Sequence, residues 1–156
     1  MAVNLVVDGY VNGKRLVYTA LMNSATSPAI TLKESDSGCT VMVGQSTAAA
    51  VNDETNSILL PAPVASFRCE IMFTAVGDNT AGHNIQIQST GANMLGNTVG
   101  VGAGLVGVNR AASTVLTRSG VAANALPGDY VKIWSDGTNY YFYAFSTGTA
   151  SPWAVA

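Results

Sequence analysis

The stretch GDYVKIWSDGTNYYFYAFSTG, residues 128–148, decides the fold class. Two runs rich in Val, Ile, Tyr, Trp and Phe flank SDGTN at 135–139. There Asp136 can accept backbone amides and Gly137 can take a positive φ, which are the requirements of a tight hairpin turn. Strand alternation puts Tyr141, Tyr143 and Phe145 on one face and Tyr140 and Phe142 on the other. On the preceding run Val131, Ile133 and Ser135 alternate with Tyr130, Lys132 and Trp134. One face is therefore expected to be core. The other, carrying Trp134 and Lys132, is expected to be half wet and to pack against a neighbouring subunit.

Working outward, no window of a dozen residues holds apolar positions at three-and-four spacing free of Gly or β-branched clusters, so helix is expected to be nearly absent. Short β-rich runs recur at 3–7, 15–21, 29–33, 40–44, 57–60, 67–76, 84–89, 113–119, 130–135 and 140–145. Ten such runs predict an all-β, antiparallel β-sandwich of jelly-roll-like character. Asn12-Gly13 predicts a type I′ hairpin between the first two runs. Pro61 and Pro63 must leave regular pairing. Residues 76–84 read as a loop joining adjacent antiparallel strands, and 45–56 as a loop with at most one helical turn. NIQIQS (84–89) alternates Ile85 and Ile87 with Gln86 and Gln88, a polar but uncharged outer face. The Gly-rich 96–113 segment reads as either a bulged strand with close backbone approach or an ordered loop. The tail after Ser146 is expected to lie on a neighbour or on the domain's own flank. Residues 1–27 form an N-terminal arm or hairpin beside a sandwich over 28–156, effectively one domain.

Charged residues make up 10% of the 156, against roughly a quarter in an ordinary soluble protein. Charge normally keeps monomers apart, so this deficit predicts a surface covered by other subunits. The seven basic residues are scattered and the net charge is −2, which leaves no electrostatic footprint for a nucleic acid. No apolar run approaches a membrane span, and MAVNLVVDGY has no basic leader. There is no Asn-x-Ser/Thr sequon. Cys39 and Cys69 read as reduced core thiols, with a disulfide left open if their strands are neighbours.

Reactive constellations are sparse. Gly102, Gly104 and Gly107 match GxGxxG, but strand-like sequence follows instead of a helix to receive a pyrophosphate, so no dinucleotide site is expected. His83 is the lone histidine, and none of Ser37, Ser89 or Ser119 lies in a nucleophile elbow. One His and two separated Cys make no zinc set, and Asp53, Glu54 and Asp78 lack the ligand density of a calcium loop. No catalytic residue, cofactor or metal is expected. The set Trp134, Asp136, Tyr141 and Tyr143 can serve as an interface or, alternatively, stack on a glycan.

Read in order, AITLKESDSGCTVMVG, ILLPAP with SFRCEIMFTA, NIQIQSTGANMLG and PGDYVKIWSDGTNYYFYA resemble a pattern of virion structural proteins of the phage and algal-virus type. The matching positions are Asp36, Ser37 and Gly38, Leu60 and Pro61, Gly91 and Ala92, Gly128 and Asp129, and Asp136, Gly137, Asn139, Tyr140 and Tyr141. The Trp usual after the last turn is Tyr140 here, and the Gly often found after the LP turn is missing. The resemblance covers residues 28 to 146 and implies a small β-sandwich module on a capsid, tail or fibre, often trimeric. It implies an assembly role and no enzyme. The expectation is a capsid decoration, or cement, protein of a bacteriophage-type virion. It would be a homotrimer bound to the major capsid protein on the outer capsid surface, made in the host cytoplasm. The N-terminal arm, through Val3, Leu5, Val7 and Tyr10, would contact the capsid. The alternative is a tail-fibre or spike module binding a host glycan.

Overall fold

The protein is described here from a computed structural model that places residues 6–11, 14–21, 30–45, 56–74, 84–100, 106–119, 126–148 and 152–155. For 6–11, 14–21, 45, 56 and 106–111 the backbone alone is described. Among the described residues thirteen strands run in chain order. These are β1 (Val6–Val11), β2 (Lys14–Leu21), β3 (Ile30–Thr31), β4 (Cys39–Gln45), β5 (Asn56–Leu59), β6 (Arg68–Phe73) and β7 (Ile85–Gln88). They continue with β8 (Met94–Gly100), β9 (Val106–Ser113), β10 (Val115–Arg118), β11 (Tyr130–Ser135), β12 (Tyr140–Ser146) and β13 (Trp153–Val155). Among the described residues the helical content is one 3-10 turn, Glu34–Asp36.

The strands form two sheets, one of eight in the order β1-β2-β4-β6-β11-β12-β8-β9 and one of five in the order β13-β10-β7-β5-β3. The all-β sandwich stands as the sequence predicts, but both sheets are mixed rather than antiparallel. The pairs β2–β4, β4–β6, β12–β8, β5–β7 and β3–β5 run parallel. Parallel neighbours need crossover connections, which here pass between the sheets. The chain from β6 to β7 leaves the eight-stranded sheet for the five-stranded one, so residues 76–84 do not join adjacent strands. Antiparallel pairing governs the hairpins the turns do specify. Val11↔Lys14 leaves only Asn12 and Gly13 between β1 and β2, and Ser135↔Tyr140 closes β11 on β12 across Asp136–Asn139. Gly137 there has φ +97°, the left-handed conformation that the DG pair supplies.

Alternation fixes the core. Val41, Ile71, Val131 and Ala144 lie in one cross-strand row, and Cys39, Cys69, Ile133 and Phe142 in the next, all buried. Ile58, Ile85, Ile87, Leu116 and Trp153 face them from the five-stranded sheet. The ring set on one face of β12 is thus core, as its period-2 pattern predicts: Tyr140 and Phe142 are buried, and Tyr140 meets Phe67 edge-on at 6.0 Å. Gln86 and Gln88 lie on the opposite side of β7, half-buried, with Gln88 Nε2 donating to Ser57 Oγ at 3.2 Å and to Gln86 Oε1 at 2.7 Å.

Three strands exceed the ten expected. The Gly-rich segment supplies β8 and β9, and of its two readings the bulged strand holds: the β8–β9 register shifts between Met94 and Gly96. Close approach is explicit at Gly96, where a Cβ would fall onto the carbonyl oxygen of Phe142 on β12. The tail supplies β13, which pairs with β10, so Trp153 is buried in the protein's own core. Its indole Nε1 donates to the Phe145 carbonyl at 3.3 Å and its ring meets Phe73 edge-on at 5.7 Å. The N-terminal hairpin joins the main sheet, since β2 runs parallel to β4 from Leu16↔Thr40 to Leu21↔Gln45, leaving β1 as an edge strand.

Candidate functional site

The residues of the eight-stranded sheet that alternate with the core set form its outer face. Strand pairing arranges them in three rows. The first runs Arg68–Trp134–Tyr141–Leu95, the second Thr40–Glu70–Lys132–Tyr143–Asn97, and the third Met42–Met72–Tyr130–Phe145–Val99. Most of these side chains are half-buried by one another, while Arg68, Lys132, Asn97 and Trp134 are exposed, Trp134 to 47%. Trp134 is the most exposed large apolar side chain among the described residues. Large contiguous apolar faces on a protein surface mark interaction sites.

The rings pair across the strands. Tyr130 and Phe145 stack at 5.3 Å and 22°, and Trp134 and Tyr141 at 6.2 Å and 19°. Each pair is directly opposed across β11–β12, the register in which cross-strand aromatics touch. Lys132 Nζ stands 5.6 Å from the Tyr130 centroid and 3.8 Å from Glu70 Oε1. The face therefore holds one acidic and two basic side chains, Glu70, Lys132 and Arg68, among apolar and aromatic ones.

At the end of this face the β11–β12 turn fixes the first row. Asp136 Oδ1 accepts the amides of Thr138 and Asn139, both at 2.8 Å, and its Oδ2 accepts the Tyr141 hydroxyl at 2.9 Å. Those amides, then the hydroxyl, hold the Asp136 carboxyl below its ordinary range. The same hydrogen bond, and then the carboxylate's charge, raise the Tyr141 phenol. Asp136 uses both oxygens within its own turn, and its effect is to orient Tyr141 under Trp134.

Of the residues singled out from sequence, Trp134, Tyr141 and Tyr143 share this face and Asp136 sits at its rim. Val7 and Tyr10 lie in β1, with backbone alone described, while Val3 and Leu5 lie outside the described residues. So do His83, Asp53, Glu54, Asp78, Gly102 and Gly104. Ser37 Oγ receives the Arg68 amide at 3.3 Å, and Ser89 Oγ donates to the Ala92 carbonyl. Among the described residues no three His, Cys, Asp or Glu side chains converge on a cation-sized site, and no helix is long and apolar enough to cross a membrane.

No family model matches this chain, and neither does any curated protein or solved structure. The face must be read from its own chemistry. Sequence reasoning missed Arg68, Glu70, Met42 and Met72 as members of it. The signal was present in RCEIMF, where Arg68, Glu70 and Met72 alternate with Cys69, Ile71 and Phe73. What alternation could not supply was β6 as the neighbour of β11.

Proposed function

We propose that this chain is a capsid decoration protein, without enzymatic activity, that self-associates and bridges neighbouring subunits of an assembled shell. The observation that carries the reading is the outer sheet face: five strands wide, with Trp134, Tyr141, Tyr143, Tyr130 and Phe145 on it beside a small charged set, Glu70, Lys132 and Arg68. A face of that chemistry suits burial against protein rather than a reaction with a small molecule. The low overall charge and the resemblance over residues 28–146 support the same conclusion. The resemblance implies a small module, often trimeric, on a capsid, tail or fibre, and the N-terminal segment outside it is the part assigned to reaching the major capsid protein. Ligands that bind only the assembled shell stabilise it by mass action.

The test is particle-level. Purified virions should carry hundreds of copies by gel densitometry, and shells stripped of the protein should rupture at lower temperature and recover when it is added back. Shells equally robust with and without it would sink the reading. The exposed Trp134, stacked on Tyr141, favours one second reading, a fibre module that stacks on a host glycan. Tens of copies per particle, and glycan-array binding lost in Trp134→Ala, would select it.

A further inference from the structure

We infer that the outer face of the eight-stranded sheet is an isologous interface that pairs two copies of this chain about a two-fold axis lying along the boundary between β6 and β11. This deepens the self-association part of the proposed function, and it names a two-fold where the resemblance implies a three-fold.

The argument is the pattern across that boundary. Take an axis parallel to the strands, running between β6 and β11 and midway between two stacked sheets. It lays β11 of the second copy over β6 of the first, and β12 over β4, because strands in a sheet are evenly spaced. Each row then meets its complement. In the central row Lys132 falls over Glu70 and Glu70 over Lys132, so the two opposite charges of one copy, adjacent at 3.8 Å, meet their opposites in the other. In the third row Tyr130 falls over Met72 and Phe145 over Met42, and thioether against ring is a favourable contact. In the first row Arg68 falls over Trp134, an exposed indole beside which a guanidinium is a favourable partner. Three independent rows, paired by register alone, are self-complementary about one line. Cross-strand pairing within one sheet brings these complements side by side, and the same pairs are open to a second copy laid over the boundary. Sheets stack face to face about 10 Å apart with their strands roughly aligned, which side chains of this size fill.

The test uses the full chain in sedimentation velocity and light scattering at micromolar concentration. The expected mass is twice 16.0 kDa. Lys132→Glu alone and Glu70→Lys alone each juxtapose like charges and should weaken the dimer about a hundredfold or more, leaving monomers. Mixed in equal amounts, the two variants should form a heterodimer, because each charge then meets its opposite across the axis. Circular dichroism should be unchanged in each variant, whereas the melting temperature should fall, because the dimer is lost and like charges now oppose each other across β6 and β11 of one chain. A wild-type monomer, a wild-type trimer, or a variant mixture that stays monomeric would each overturn the two-fold. Failure of the parent reading is separate: a dimer with this charge dependence that leaves shells unstabilised preserves the interface and removes the capsid role.

Discussion

Arg118 and Asp129 form a buried ion pair, Nη2 to Oδ2 3.0 Å, that ties the five-stranded sheet to the eight-stranded one. The side chains are 1% and 0% exposed. Arg118 ends β10, while Asp129 directly precedes β11 and gives its carbonyl to the Phe73 amide at 2.9 Å. Asp129 also accepts the amides of Leu126 and Thr147 at 3.1 and 2.9 Å, and the Arg118 guanidinium lies 4.2 Å from the Phe73 centroid. Burial lowers the Arg118 pKa and the Asp129 charge opposes that loss. Breaking one partner strands the other, so Arg118→Ala should cost about 3–5 kcal/mol in urea unfolding. Asp129→Ala should cost at least as much, because two backbone amides lose their acceptor with it. A loss under about 1 kcal/mol would mean the clasp is not closed in solution.

Gly96 is required by the parallel packing of β8 on β12. A methyl group there falls onto the Phe142 carbonyl, which is backbone and cannot rotate away. Gly96→Ala should destabilise the fold by about 2 kcal/mol or more and loosen the β8–β9 edge first, read by hydrogen exchange at Thr98 and Val99. Unchanged exchange there would show that the strands separate freely.

Tyr140 is buried and donates to the Pro61 carbonyl at 2.8 Å, locking the LP turn to β12. Burial, then the neighbouring Cys69, pushes its phenol up to about 12. A folded-state value above the unfolded one contributes stability in full below pH 10, lost as pH rises from 10 through about 12. Tyr140→Phe should therefore remove that alkaline loss of stability and cost about 1 kcal/mol at neutral pH. A wild-type stability curve flat between pH 9 and 12 would contradict this.

The Asp136–Tyr141 hydrogen bond predicts a local titration. Tyr141 should ionise above its ordinary value of 10, and Asp136→Asn should return it toward 10 by removing the charge that opposes the phenolate. The contribution of Asp136 runs the other way: its lowered value means stability present above the ordinary carboxylate range and lost as pH falls through the folded value. NMR of labelled tyrosine follows the first, and a Tyr141 resonance indifferent to the substitution would refute the contact.

Cys39 and Cys69 are register partners on β4 and β6, both buried and both reduced. The hydrogen bond the Cys69 thiol makes to Cys39, then burial, raise the Cys69 thiol, leaving little thiolate. Ellman's reagent should find no fast-reacting thiol in the native protein and two in denaturant. A rapid native reaction would place at least one of them at the surface.

The sequence by itself determined ten of the strands, two of the hairpins and the faces of those strands. Period-2 alternation in YVKIWS and YYFYAF is a local property of the chain. It separated Ile133 and Phe142 from Trp134 and Tyr141 without reference to any other segment. The DG turn at Gly137 is likewise local, because the positive φ it needs is a property of the residue, and the NG pair is local in the same sense, lying between the register partners Val11 and Lys14. Tertiary structure decided which strands are neighbours. Nothing local in CTVMVGQ or RCEIMF states that they pair parallel, with Cys39 opposite Cys69 and Met42 opposite Met72. Nor does Trp153, after a tail that could have packed anywhere, announce that it fills the core beside Phe73. Pairing between distant segments is selected by the burial of whole faces at once, a cooperative sum over both sheets. The outer face, with Glu70 beside Lys132 and Arg68 beside Trp134, came into being only when β6 and β11 met.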